Sequence, residues 1–396
     1  MKKIITIILM LFFGALNAQA QWEKINGPDG EYYILSIVSQ NDYLYAGTGS
    51  GVFRSADNGV TWQKKSSGMN NRYVYSITQL GEYLHAGAYG GIYRSSDNGE
   101  NWQWRGSVIN GDRYVYSITK FGEYLYAGID RGIYRSTDNG ETWKMKNSHM
   151  VYLDVYSFAQ LGEFLYAGTD KMVLCSTDNG ETWQSRSNGM KWGKVHSFAR
   201  VGEYLYAGTD SGVYRITDKA ETWQEKSNGM NNIEVLTLAQ LGGYLYAGTF
   251  NNGVYRSSDN GESWSNIGLA GQDVRSLASS GDYLFAGTYG NGIWKVPLST
   301  VNIDEIEENN PLGSRILTYP NPSEGTLTID IEEAGSLSDI YEVMIYDMYG
   351  RQVGEYQIQN KQTIDVTHIP IGQYQIKVRN MHTQNTFAPS IFSVMR

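Results

Sequence analysis

From Gln21 to Pro297 the hydrophobic and polar positions recur with a period of about forty residues. The anchor of the period is Leu-aromatic-Ala-Gly, with its alanine at Ala46, Ala86, Ala127, Ala167, Ala207, Ala247 and Ala286. One copy varies, carrying His85 at the aromatic position. Short segments on either side of the anchor alternate apolar and polar residues, as half-buried strands do. In the third copy Tyr114 to Thr119, Tyr124 to Gly128 and Gly132 to Arg135 read as strands, and Trp143 opens a fourth. Gly122-Glu123 fits a two-residue hairpin turn that starts on glycine. No stretch keeps a helical period. Seven copies of four strands at this spacing predict an all-β chain whose main body is a seven-bladed β-propeller.

Six of the seven copies also carry a polar turn before their tryptophan. Ser-x-Asp-x-Gly-x-x-Trp starts at Ser55, Ser95, Ser136, Ser176 and Ser257, and a degraded version runs from Ile216 to Trp223. The pattern resembles the Asp-box repeat of sialidases, sortilin-type receptors, xyloglucan-hydrolysing propellers and photosystem II assembly-factor propellers. Asp57, Asp97, Asp138, Asp178, Asp218 and Asp259 are read as structural: a carboxylate that accepts N–H groups of its own turn holds the hairpin closed.

The seventh copy stops early. Gly292 to Val296 makes a third strand, then Pro297 intervenes with no Asp box after it. At the other end, Gln21-Trp22-Glu23-Lys24 matches the fourth strands Thr61-Trp62-Gln63-Lys64 and Thr222-Trp223-Gln224-Glu225. The N-terminal segment is therefore expected to complete blade seven and leave no open edge.

The two ends have other textures. Lys2-Lys3, the apolar run Ile4 to Phe13 and Ala18-Gln19-Ala20 form a signal peptide over residues 1–20. Residues 298–316 are polar and acidic, a linker. Residues 317–396 return to short alternating segments that suit a small antiparallel sandwich. Within them stand Tyr319-Pro320-Asn321-Pro322, Gly325 to Ile329, Ile345 to Arg351, Ile364-Asp365-Val366 and Ile369 to Tyr374, with Lys377. In this order and spacing they resemble the type A C-terminal sorting domain of the Bacteroidetes type IX secretion system. That resemblance implies an immunoglobulin-like fold, recognition by the outer-membrane export machinery, and a secreted or cell-surface destination reached through the periplasm.

Composition narrows the partners. A formal net charge of −9 with scattered Lys and Arg lacks the basic footprint of a nucleic-acid or membrane-surface protein. No segment after the signal peptide is long and apolar enough to span a membrane. Cys175 is the one cysteine and forms no internal disulfide. The five histidines lack metal-ligand spacing, so neither a metal nor another cofactor is expected.

A shared fold position that varies between copies is free of packing demands. Two columns at the starts of the inner strands vary in this way. One holds Tyr33, Tyr73, Tyr114, Asp154, Lys194, Glu234 and Asp273; the other holds Leu35, Tyr75, Tyr116, Tyr156, His196, Leu236 and Arg275. Both should circle one mouth of the channel, aromatic on one arc and charged on the other. Trp192 and Tyr152 stand in adjacent loops, and Tyr89, Phe250 and Tyr289 lie between second and third strands. Aromatic faces beside a few polar groups suit a carbohydrate or a protein segment. The alternative is a glycoside hydrolase, for which Asp154, Glu234 and Asp273 supply the carboxylates. Lys194, between the first two, would hold them ionised and unfit as a general acid. The arginine column Arg54, Arg94, Arg135, Arg215 and Arg256 falls beside the Asp boxes, on the opposite face, with Cys175 and Lys295 in the same column.

Overall fold

The structure is a computed structural model. It describes residues 21–301 except 26, 29, 31–32, 41, 70–71, 107–112, 147–151, 231 and 242, and residues 315–394 except 320–324, 333–339, 348–351, 360, 371 and 383–385. Residues 1–20, expected to be a signal peptide, residues 302–314 of the expected linker, Pro320 to Pro322 and Gly350-Arg351 lie outside the described residues.

Among the described residues, seven four-stranded antiparallel sheets follow one another along the repeat. The arrangement fits a β-propeller, each sheet a blade. In the third, Val115–Phe121, Tyr124–Ile129, Gly132–Ser136 and Lys144–Met145 pair in that order. The inner strand starts one residue later than the alternation implies, and Trp143 precedes the short outer strand. Phe121 pairs with Tyr124 across Gly122, whose φ is 57°. That conformation selects glycine at the first turn position.

The anchor motif lines the tightest part of each blade. The Ala-Gly pair lies opposite the inner strand, and the next blade packs directly on the glycine. A Cβ on Gly128 would stand 2.4 Å from the carbonyl oxygen of Val155, in blade four. The other anchor glycines face the same inner-strand valine or isoleucine of the following blade. Their repetition therefore reflects backbone approach between blades.

The Asp boxes are hairpin staples. In the third copy the Ser136 hydroxyl donates to Asp138 Oδ1 (2.7 Å) and accepts from the Gly140 N–H (2.9 Å). Asp138 then accepts from the Thr142 N–H and hydroxyl at 2.9 and 2.6 Å. The same relay recurs at Ser55, Ser95, Ser176 and Ser257. Hydrogen bonds led by the Thr61 side chain hold the Asp57 carboxyl at about 2, below the usual carboxylate range. In the fifth copy Ile216 replaces the serine and is itself buried, so the relay has no hydroxyl to start from.

Arginines lock neighbouring blades together. Arg54, Arg94, Arg135 and Arg215 each reach the carbonyl of the asparagine in the next blade's Asp box: Asn98, Asn139, Asn179 and Asn260. Each also covers a tyrosine ring of its own blade, 4.2–4.5 Å from the centroid. In blade four, where Cys175 occupies the column, Arg186 takes over from just beyond the outer strand Gln184–Ser185. It covers Phe164 at 4.1 Å and donates to the Ala220 carbonyl. Arg256 has no following Asp box, and its guanidinium donates to the Val301 carbonyl. That carbonyl belongs to the helical turn Leu298–Val301, so the first residues of the expected linker are packed on the repeat.

The N-terminal strand Glu23–Lys24 pairs antiparallel with Gly292–Pro297, Glu23 opposite Lys295 and Lys24 opposite Trp294. Trp22 Nε1 donates to the Ile267 carbonyl of blade six at 2.9 Å. Trp264 makes the equivalent bond to the Lys226 carbonyl of blade five. The Ile37 N–H of blade one reaches Ser276 Oγ of blade seven at 2.7 Å.

In the tail, Arg315–Tyr319, Thr326–Glu332 and Lys361–Asp365 form a three-stranded sheet. Tyr341–Asp347, Gln352–Ile358, Gly372–Asn380 and Thr386–Val394 form a four-stranded one. Alternate residues of both, among them Leu327, Ile329, Val343, Ile345, Ile376 and Val378, share one buried core.

Candidate functional site

The two variable columns meet at one end of the repeat because each inner strand begins with the same irregularity. Pairing slips between Val115 and Ser117, and equivalently in all seven blades, so one residue per blade is bulged out of register. The bulged residues are Leu35, Tyr75, Tyr116, Tyr156, His196, Leu236 and Arg275. A bulge re-aims a side chain and is common beside functional sites. The preceding valine or isoleucine is buried in every blade. The column before that, from Tyr33 to Asp273, is tied down by its carbonyl. Gly49, Tyr89, Asp130, Asp170, Asp210, Phe250 and Tyr289 each donate their N–H to it, at 2.9–3.2 Å.

The aromatic arc is continuous from Tyr73 to His196, with a separate pair beside it. Tyr33 and Tyr289 lie 4.6 Å apart by ring centroids, across blades one and seven. Tyr73 stacks with Tyr75, and Tyr75 meets Tyr114 and Tyr116 edge-on at 5.7 and 5.6 Å. Tyr114 and Tyr116 are parallel within 5°, and Tyr89 lies against Tyr114 at 5.1 Å. Tyr116 passes the contact on to Tyr156 (4.8 Å), and Tyr156 to His196 (5.9 Å). Tyr33, Tyr73 and Tyr114 are 38–42% exposed, enough to offer a face while their neighbours hold the ring orientation. Burial pushes the Tyr75 and Tyr156 hydroxyls up to about 12, and the Tyr116 hydroxyl up as well. All three remain neutral hydrogen-bond donors across the ordinary pH range.

The charged arc differs from the expectation in three ways. It interleaves with the aromatic one, since Asp154 lies close enough to raise the Tyr116 and Tyr156 hydroxyls further. It contains Asp130, Asp170 and Asp210, which the sequence reading missed; each stands three residues after its anchor alanine, a column that also holds Tyr89, Phe250 and Tyr289. And the group in contact with Glu234 is His196, at 3.2 Å, whereas the Lys194 backbone N–H is bonded to Asp210. Asp273 bonds the Asn251 N–H, and Arg275 stands 3.9 Å from Asp273 and covers Tyr289.

His196, Asp210 and Glu234 converge, although 14 residues separate the first two along the chain and 24 the last two. His196 Nε2 is 2.8 Å from Asp210 Oδ1 and 3.2 Å from Glu234 Oε1. Burial disfavours the imidazolium, yet the two carboxylates outweigh it and raise the His196 pKa. Burial likewise raises the Asp130 carboxyl.

Trp192, 79% exposed, stands apart from the arc. It lines a groove of about 580 Å³ with Lys171, Arg186, Met190 and Lys191, between blades four and five. Tyr152 is 77% exposed.

Residues 317–388 match the family described as the secretion system C-terminal sorting domain, and residues 134–145 match the BNR/Asp-box repeat. The chain thus joins an Asp-box β-propeller fold to a type IX sorting domain, which directs it to the secretion machinery and makes it a secreted or outer-surface protein. Among the described residues no helix is long and apolar enough to cross a membrane. No curated protein sequence matches the chain. Its fold is similar to the extracellular domain of a candidate hybrid two-component system from B. thetaiotaomicron, at 13% identity and TM-score 0.59, covering 93% of this chain and 53% of that one. It is also similar to an ancestral GH74 enzyme, at 16% identity and TM-score 0.55, covering 94% of this chain and 63% of that one. The chain therefore spans about half the length of the first structure and under two thirds of the second.

Proposed function

We propose that this chain is a binding protein displayed at or released from the cell surface, whose channel-mouth tyrosines hold an extended glycan. The observation that carries the reading is the unbroken run of ring contacts from Tyr73 to Tyr156, with exposed faces at Tyr73 and Tyr114. Sugar rings present C–H faces that stack on aromatic rings, and their hydroxyls bond to carboxylates and phenols such as those interleaved here.

The architecture proposed for this role is a seven-bladed propeller over residues 21–297, closed by the N-terminal strand in blade seven. The Glu23–Lys24 pairing, the Trp22 bond and the Ile37–Ser276 bond support closure. Residues 1–20 serve as the signal peptide, 298–316 as the linker and 317–396 as an immunoglobulin-like sorting domain. The two sheets around one core support the last assignment.

The test is a glycan array probed with the purified chain, followed by Tyr73→Ala with Tyr114→Ala on any hit. Binding should fall at least tenfold while the melting temperature stays within a few degrees. A protein segment is the other occupant that the same double variant would expose, on a protein array. The hydrolase alternative draws on Asp210 and Glu234, whose facing atoms lie within 4.8 Å of each other and of His196. Turnover of a glycan that vanishes in Asp210→Asn with Glu234→Gln would replace the binding reading.

A further inference from the structure

We propose that His196, Asp210 and Glu234 form a binding site for one divalent transition-metal ion at the channel mouth. The three donors come from three places in two blades. His196 is the bulged residue of the inner strand Val195–Val201, Asp210 follows the strand Tyr204–Thr209, and Glu234 precedes Val235–Leu241. His196 Nε2 stands 2.8 Å from Asp210 Oδ1 and 3.2 Å from Glu234 Oε1, and the three atoms all lie within 4.8 Å of one another. A tetrahedral or octahedral ion with bonds of about 2.1 Å holds adjacent donors about 2.9–3.4 Å apart. The 3.2 Å separation falls within that range and the 2.8 Å one lies just below it, so a small movement of the carboxylate would admit an ion.

Hydrogen bonding alone serves this arrangement poorly. Nε2 carries at most one hydrogen, yet two carboxylate oxygens face it. A cation accepts all three donors at once. The supporting contacts are those of a metal site: the second oxygen of Asp210 is held by the Lys194 N–H at 3.0 Å, which aims Oδ1 at the imidazole. The Glu234 main chain is fixed by the Phe250 N–H at 3.0 Å. One imidazole with two carboxylates suits zinc or a neighbouring first-row ion, whereas calcium takes six to eight oxygens. Three protein donors leave a position for an oxygen of a bound molecule.

The test is calorimetric titration of the purified, metal-stripped chain with Zn²⁺, then with Ca²⁺. One equivalent of Zn²⁺ should bind, with affinity reduced at least tenfold in both His196→Ala and Glu234→Gln. Glu203→Gln, a turn residue on the opposite face, should bind as the parent does. Melting curves check that the variants fold, and Co²⁺ loading supplies a visible absorption that His196→Ala should lose. Absence of saturable Zn²⁺ binding, unchanged binding in Glu234→Gln, or equal preference for Ca²⁺ would overturn the site. Each of these results is independent of whether the tyrosine arc binds a glycan.

Discussion

His85 gives the repeat a pH-dependent weak point in blade two. Five other blades place a tyrosine at this register and blade seven a phenylalanine. The tyrosines of blades one, three and five donate their hydroxyls to the Asn98, Asn179 and Asn260 carbonyls of the next blade. The His85 ring is 1% exposed, and neither ring nitrogen has a well-aligned partner among the described residues. Burial lowers its pKa from 6.5 to about 4. A depressed base is neutral in the folded chain and protonated in the unfolded one between those values. Stability is therefore intact above pH 6.5 and is lost as pH falls toward 4. A shift of this size corresponds to at most about 3 kcal/mol. His85→Tyr should abolish that loss. The assay is urea unfolding of parent and variant at pH 7.0 and 4.5, comparing the change in stability between the two pH values. His196 titrates in both proteins and cancels in the difference. The exposed Asp57 carboxyl, held at about 2, adds its pH dependence only below about pH 4. Equal acid sensitivity in parent and His85→Tyr would refute the reasoning.

Gly128→Ala should destabilise the chain by roughly 1–3 kcal/mol or more, because the added methyl meets the Val155 carbonyl; an unchanged thermal midpoint would contradict the close blade contact. Trp22→Ala should lower stability by about 2 kcal/mol through lost packing and the lost bond to Ile267, read as a drop in melting temperature. A chain ending after Ile303 keeps the Val301 carbonyl that receives Arg256, so it should fold, yet it should stay in the periplasm of a host with the export system. Normal secretion of that shortened chain would show that the sorting domain is dispensable.

The blades were legible because their determinants are local and recur from copy to copy. Leu-aromatic-Ala-Gly and the Asp box each fix a turn or a close approach within forty residues. The Trp22 match was legible for the same reason, being one more copy of a known strand. The mouth was only half legible. Aligning inner strands exposed the columns through Tyr73 and Tyr75, but alternation alone hides a bulge, which adds a residue without changing the apolar pattern. The third column was read only through its aromatic members Tyr89, Phe250 and Tyr289; Asp130, Asp170 and Asp210 escaped notice because a short acidic residue between strands looks like any turn residue. The His196 cluster was invisible to spacing rules, since strand pairing within blade five brings Asp210 beside His196 and the packing of blade six brings Glu234. Arg186 was likewise unreadable: it fills the place of an absent Arg from just beyond the outer strand.

The seam at blade seven carries an entropic burden no other blade shares. Elsewhere the outer strand is delivered by its own hairpin, a few residues after its partner. Here roughly 270 residues separate Lys24 from Gly292. Bringing the ends of so long a loop together costs about 5 kcal/mol of chain entropy, against about 2 for a hairpin of seven residues. The two-residue strand, the Trp22 bond and the Ile37–Ser276 bond across the same seam offset that difference. A circular permutant that joins Pro297 to Gln21 through a short linker, and opens the chain between two other blades, would move the seam and test this cost directly. It should refold faster if closure limits the rate, with the same mouth residues in place.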